Sequence, residues 1–304
     1  MILVDDVEIL TVNDGLVWSG ARDICTRQLS FSFLYNPLKK DLPKYKMNVG
    51  SKVVWIDDNQ VTRFVGYIEE LPYNTDDDTI QVTCKDLTTR LIRSKFIGRM
   101  TGTLKEIADN ICGLFNIQNG IESDNTHKHN IVSDGSLSYY DVLNTACTTL
   151  FGNDHTLYMD ENILKLSDKN VQKEFEIGKN IRSSSYKQSI SDMVTRVLII
   201  DNNGKVLDSI EDKENVQRFG LFQEVYNYNK DSKNNIEEAK KLLKGVTSEG
   251  LIIVDNDNNC ISGRRVKIYE PVNKIDGIFE IQTDNHTIGT DSQMELEVKY
   301  VGNG

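Results

Sequence analysis

The hydrophobic period of this chain changes near residue 97, and that change restricts the fold more than any other feature. Before it, Leu29, Phe31 and Phe33 alternate with Gln28, Ser30 and Ser32, the two-residue period of a half-buried strand. Lys52–Ile56 and Arg63–Ile68 flank Asp57-Asp58-Asn59-Gln60 as strands flank a hairpin loop. Ile80, Val82 and Cys84 alternate again after the acidic turn Thr75–Asp78. About five or six strands in so short a stretch predict a small barrel or sandwich. Gly66, inside a strand pattern, predicts a bulge or a close backbone approach.

After residue 97 the period becomes helical. Leu104, Ile107, Ala108, Ile111, Cys112 and Phe115 form one stripe, with Thr103 and Glu106 at capping-box spacing before it. A second helix is expected from Ser138, with Asp141 at its third position and Val142, Leu143, Ala146, Cys147 and Leu150 on one face. Asn116–Gly135 between them reads as a polar loop, and Leu157–Leu166 as a tight hairpin. Residues 176–304 return to sheet. Asn203-Gly204 between Val194–Ile200 and Lys205–Leu207 is a hairpin signal, because that pair accepts positive φ. A helix over about 232–244, capped by Gly245, is the one helix expected there. The expected architecture is therefore mainly β with an α+β insert: a β-barrel over 1–97, a middle domain over 98–175 and a second barrel over 176–304.

Charge and cysteine usage exclude several function classes. Residues 1–97 carry 12 basic and 14 acidic side chains, 98–175 carry 6 and 11, and 176–304 carry 17 and 21. Each segment is acidic and none reads as a basic patch, so stable nucleic-acid binding is not expected. The five cysteines are widely spaced and never form a CxxC pair, against both a disulfide framework and a zinc knuckle. Cys84, Cys112 and Cys147 fall on apolar faces and read as core. The start, Met1–Glu8, lacks a basic region, and no apolar run approaches the ~20 residues of a membrane span. Neither secretion nor membrane insertion is expected.

Several clusters suggest catalytic or ligand-binding chemistry, and none completes it. Asp255–Asn259 resembles a calcium loop, but Cys260 and Val266 stand where glycine and a bidentate acid are needed; a solvated hairpin turn is the better reading. His127 and His129, with Asp124 before them and His155 beyond, are the nearest approach to a metal set, yet lie in an Asn/Asp/Ser-rich stretch that reads as surface loop. Gly98–Thr103 lacks the Walker spacing and its lysine. Cys147 sits on an apolar stripe, a poor place for a nucleophile beside His155. Asp57-Asp58 and Glu69-Glu70 lie beside turns, where solvation explains them. No catalytic, cofactor-binding or metal-binding residues are assigned, no cofactor is expected, and the chain reads as a non-enzyme.

The order of elements resembles a known family. Leu29–Phe33, Gly50–Ile56, Phe64–Ile68 and Val82–Leu91 are similar to the N-terminal barrel of phage tail hub proteins. Ser138–Leu143 resembles the opening of their second helix, and Gly263, Val266, Gly277–Phe279 and His286–Leu296 resemble their closing strands. The nearest type is the XkdQ/YqbQ group of prophage tail proteins, distantly related to late control protein D and the N-terminal half of VgrG. That resemblance implies a baseplate hub of a contractile tail or tailocin: a homotrimer whose two barrels per subunit form a pseudo-sixfold ring. Such a ring is a symmetry adaptor between the hexameric tail tube protein and the trimeric spike protein, alongside other baseplate proteins. It implies synthesis in the bacterial cytoplasm and incorporation into the particle. The alternative is a tail-associated receptor- or cell-wall-binding β-module, which exposed aromatic residues would favour; Trp18 and Trp55 instead fall in or beside apolar strand patterns.

Overall fold

The computed structural model describes residues 1–302 apart from 11–14, 37, 74–77, 153, 168, 230–233 and 274. The chain is mainly β, with short helices between strands. Leu16–Ala21, Ile24–Leu34, Thr79–Asp86, Thr62–Glu70, Lys52–Ile56, Ile2–Val4 and Val7–Ile9 lie side by side in that order, all antiparallel. The alternation sets the register: Leu29, Phe31 and Phe33 stand opposite Cys84, Val82 and Ile80, and all six are buried. They pack with Trp18, Trp55, Phe64 and Ile68 into one core. Of the acidic turn expected at Thr75–Asp78, only Asp78 lies within the described residues.

A second core belongs to the middle segment. The helices Leu104–Leu114 and Tyr139–Phe151 turn Ile107, Ile111, Val142, Leu143, Ala146 and Cys147 inward. Both begin at capping boxes. The Thr103 hydroxyl accepts from Glu106 N while the Glu106 carboxylate accepts from Thr103 N, and Ser138 and Asp141 repeat the exchange. Thr103→Ala and Ser138→Ala are each expected to cost about 1 kcal/mol in denaturant melts. The stretch read as polar loop is not all loop: Gln118–Asn119 pairs with Ile163–Leu166, and His129–Ser138 pairs with Lys95–Gly102 as a ribbon. The buried face of 129–138 carries His129 and Ser133 while Val132 faces out, so apolar alternation did not mark the strand. The short helix Thr88–Arg93, which buries Leu91, also went unread.

The C-terminal strands join the first sheet. Ile275–Ile288 pairs through its first half with Arg265–Glu270 and through its second half with Leu16–Ala21, while Gln293–Gly302 runs along its other edge. Hydrogen bonding therefore passes from one end of the chain to the other in a 13-stranded ladder, which as described stays open. Periodicity reports faces and not partners, so the sequence could suggest two β-units but not the strand they share. The loop 255–259 is no hairpin: Thr247–Asp255 and Arg265–Glu270 have different sheet neighbours.

Two compact units result. Met1–Ser184 with Leu251–Gly304 forms the larger. The smaller, Ser185–Gly250, is a sheet ordered Val206–Glu211, Arg196–Ile200, Gln223–Asn227, with Val197, Ile199 and Ala239 as its buried centre. Its Asn203-Gly204 turn is as expected, with Gly204 at φ 78°. The helix expected over 232–244 is regular only over Asn235–Lys240 and is capped at Lys241, so Gly245 is not its cap; residues 232 and 233 lie outside the described set. A further helix, Lys213–Phe219, starts at Asp212, whose carboxylate accepts from Asn215 N. None of the described helices is long and apolar enough to cross a membrane.

Candidate functional site

The histidine pair is not a free loop. His129 opens the strand opposite Gly102 and is buried, while His127 is exposed, with ring centroids 4.7 Å apart. Burial, then the neighbouring His127, pushes His129 below its ordinary range. Among the described residues no three His, Cys, Asp or Glu side chains gather closely enough to hold a metal ion. His155 closes the turn after the second helix, its Nδ1 2.9 Å from Gly152 O and its Nε2 2.7 Å from Asn144 Oδ1. Both ring nitrogens are thus engaged away from Cys147, whose thiol burial pushes up to about 12. All five cysteines are buried free thiols.

The remaining candidates are structural too. The helix start that a phosphate would use after Gly98–Thr103 already holds the Glu106 carboxylate. Trp18 and Trp55 are core, edge-to-face at 5.4 Å, and offer no exposed aromatic platform. Solvation accounts for Asp58 and Glu70, which are exposed, but not for Asp57 and Glu69. Asp57 is buried, takes Arg63 Nε at 2.7 Å and accepts from Asn59 N and Val61 N, fixing the hairpin turn. Glu69 bridges Lys85 and Arg93.

A buried polar junction is what sequence reasoning missed. Arg27 points inward from Ile24–Leu34 and Asp284 inward from Ile275–Ile288; both are nearly sealed from solvent. Arg27 Nη1 donates to Asp284 Oδ1 at 3.0 Å and Nη2 to Oδ2, a fork-on-fork pair. Ser262 N also donates to Asp284 Oδ1 at 2.7 Å, and His286 Nε2 lies 3.2 Å from Oδ2. The guanidinium stacks on Trp18 at 3.9 Å, in space that Gly20 leaves open: a Cβ there would sit 2.4 Å from Arg27 Nη1. The junction ties the first sheet to the last strands across 257 residues of sequence.

Two carboxyls near Arg27 titrate in opposite directions. Burial opposes the charge of Asp284, but Arg27 and His286 outweigh it and hold the carboxyl well below the usual range. Its stabilising effect is present above the ordinary Asp value of 3.8 and fades as pH falls below it. Asp86 accepts from Arg27 N and Thr88 N, both at 3.0 Å, yet burial dominates and lifts it to about 6. Its contribution is full below 3.8 and is lost as pH rises through about 6. Side-chain carboxyl NMR should therefore show Asp86 titrating near 6 while Asp284 stays ionised wherever the chain is folded. Both titrating together near 4 would refute the assignment.

On the surface of the larger unit lies a groove of about 1150 Å³. The buried Ile9, Leu16 and Trp55 and the exposed Leu10 are among its apolar lining. Glu8, Asp57, Asp58, Asp255, Asp257 and Asp291 line it with Arg63, which pairs with Asp57, and Arg182, which pairs with Asp255 and Asp291. The loop 255–259 belongs to this wall and is not simply solvated. Asn258 Nδ2 approaches Asp57 Oδ2 at 3.4 Å, Lys173 pairs with Asp257 at 3.0 Å, and Asn256 Oδ1 lies 2.7 Å from His286 Nδ1.

Comparison with solved structures gives the class: the fold is that of phage tail proteins. The 43 kDa tail protein of prophage MuSo2 from Shewanella oneidensis superposes with a TM-score of 0.75 at 13% identity, over 98% of this chain and 96% of that one. A tail protein from Neisseria meningitidis MC58 gives 0.72 at 12% identity, over 98% and 95%. Prophage tail protein gp18 from Listeria monocytogenes gives 0.63 at 14%, over 98% and 92%. Residues 16–299 match the YqbQ-like family, and the chain belongs to it. No curated protein matches the chain.

Proposed function

We propose that this chain is the baseplate hub of a contractile phage-type tail, a structural and non-catalytic part. In this reading it works as a homotrimer whose pseudo-sixfold ring joins the hexameric tail tube to the trimeric spike. The observation that carries the proposal is a tail-protein fold shared over 98% of the chain, with matching coverage of the other proteins. Residues 1–97 and 176–304 supply two β-units per subunit, with the α+β domain 98–175 between them. Three subunits then present six units to a tube ring, so a threefold object meets a sixfold one without leaving half its contacts unmade. The buried Arg27–Asp284 junction suits this task, because it keeps the first and last strands of one subunit in fixed relation.

The partners are further copies of the chain, the tube protein, the spike protein and other baseplate proteins; nucleic acid and membrane are not among them. The chain is made in the bacterial cytoplasm and ends in the particle. Antibody labelling of purified tails tests this. Label confined to the spike end of the tube is expected, and tails from a strain lacking the chain should carry no spike. Label along the tube or on fibres would contradict the proposal.

A further inference from the structure

The segment between Leu34 and Lys52 holds one leucine out in water. Leu38 is 88% exposed. It is also held in place. Leu38 N donates to Asn36 Oδ1 at 2.9 Å, and Asn36 Nδ2 donates to Asp78 Oδ1 at 2.6 Å. Lys39 pairs with Asp78, and Lys44 Nζ donates to the carbonyls of Asn36 and Lys39 at 2.6 Å. Below the tip, Tyr45 packs on Phe33 and its hydroxyl accepts from Leu10 N at 3.0 Å, while Met47 is buried. Hydrogen bonds and packing thus pre-organise an exposed apolar tip, which lowers the entropic cost of inserting it elsewhere.

The collar around that tip is basic. Residues 38–46 contain Lys39, Lys40, Lys44 and Lys46 against Asp41 alone, a local excess hidden in the segment totals. A basic collar on an apolar tip requires an apolar pocket with an acidic rim. The larger unit carries a groove that offers both: Leu10, 68% exposed, is apolar surface in its wall, and the exposed Glu8 and Asp58 stand among its carboxylates. Tip and groove are different surfaces of one chain, so a contact between them joins copies head to tail, the interface type that closes into rings.

We infer that the Leu38 loop of one copy docks in the acidic groove of the next. The inference rests on the trimeric hub reading and adds to it the surfaces that meet. The collar lysines and the groove's Glu8 and Asp58 are exposed, so the contact weakens as salt screens it.

Disulfide trapping in the full-length chain tests the contact. The native cysteines are buried and give little background. Leu38→Cys and Asp58→Cys variants are co-expressed and oxidised, beside a control pairing Leu38→Cys with Val272→Cys, a position 80% exposed. The 38–58 dimer is expected in about tenfold excess over the control dimer, and Lys40→Glu with Lys46→Glu should reduce its yield about tenfold. Asp58→Cys has no fold to disturb at an exposed turn, and the charge-reversal pair reads independently through sedimentation of the full-length chain. Equal yields of the two dimers overturn the contact. Tails that hold three copies yet never form the 38–58 disulfide overturn it while sparing the hub. Tails without three copies overturn both.

Discussion

Arg27→Met is expected to lower the unfolding free energy by about 3–5 kcal/mol, and Asp284→Leu by a similar amount. Each variant strands a charge that water cannot reach, since Arg27 is 3% exposed and Asp284 1%. For a unit of this size 1 kcal/mol moves Tm by about 2–4 °C, so each loss should appear as roughly 6–20 °C. The double variant Arg27→Met with Asp284→Leu should recover part of the loss, because no charge is left stranded, while Ser262 N and His286 Nε2 still lose their acceptor. Calorimetry of the full chain reads all three. Single variants within about 1 kcal/mol of wild type would mean that water reaches the pair and that the junction does not hold the two ends of the sheet. Gly20→Ala should show a smaller loss with the same origin, because its Cβ collides with Arg27 Nη1.

Gly66→Ala is the second large effect. A Cβ at Gly66 would stand 2.4 Å from Lys85 O and 2.5 Å from Phe64 Cζ. The phenyl ring can shift, but the carbonyl belongs to the strand Thr79–Asp86, paired on both sides. The sheet must open locally to admit one methyl group, at about 1–3 kcal/mol or more. Gly50→Ala is a useful comparison, having φ 88° but no atom within 4 Å of its Cβ, so its cost is conformational alone. Denaturant melts should rank Gly66→Ala as the more damaging. The reverse ranking would place the strain in the turn and not in the close approach of the two strands.

Gly66 also shows what could be read in advance. A glycine interrupting a strand pattern is a local signal, and so are the capping boxes at Thr103 and Ser138 and the Asn203-Gly204 turn. Each depends on residues a few positions apart. Arg27 left a local signal as well: it lies in phase with Cys25, Leu29, Phe31 and Phe33, on the face that must be buried. A charge on that face demands a partner, but nothing local names it. Asp284 was harder to find because the pairing of Ile275–Ile288 shifts between Ile281 and Thr283. Burial moves there from Phe279 and Ile281 to Asp284 and His286, so a constant two-residue period loses the face. The acidic groove was illegible for a related reason. Its wall is assembled from turns near residues 8, 57, 255 and 291, and only the folded sheet brings them together.

The hub account stands or falls on how many copies the particle holds and how they are arranged. An electron cryomicroscopy reconstruction of the intact baseplate measures both at once. The account predicts three copies in one ring between tube and spike, with the β-units of residues 1–97 and 176–304 alternating around the axis. Six copies, or a ring built from only one kind of β-unit, would contradict it.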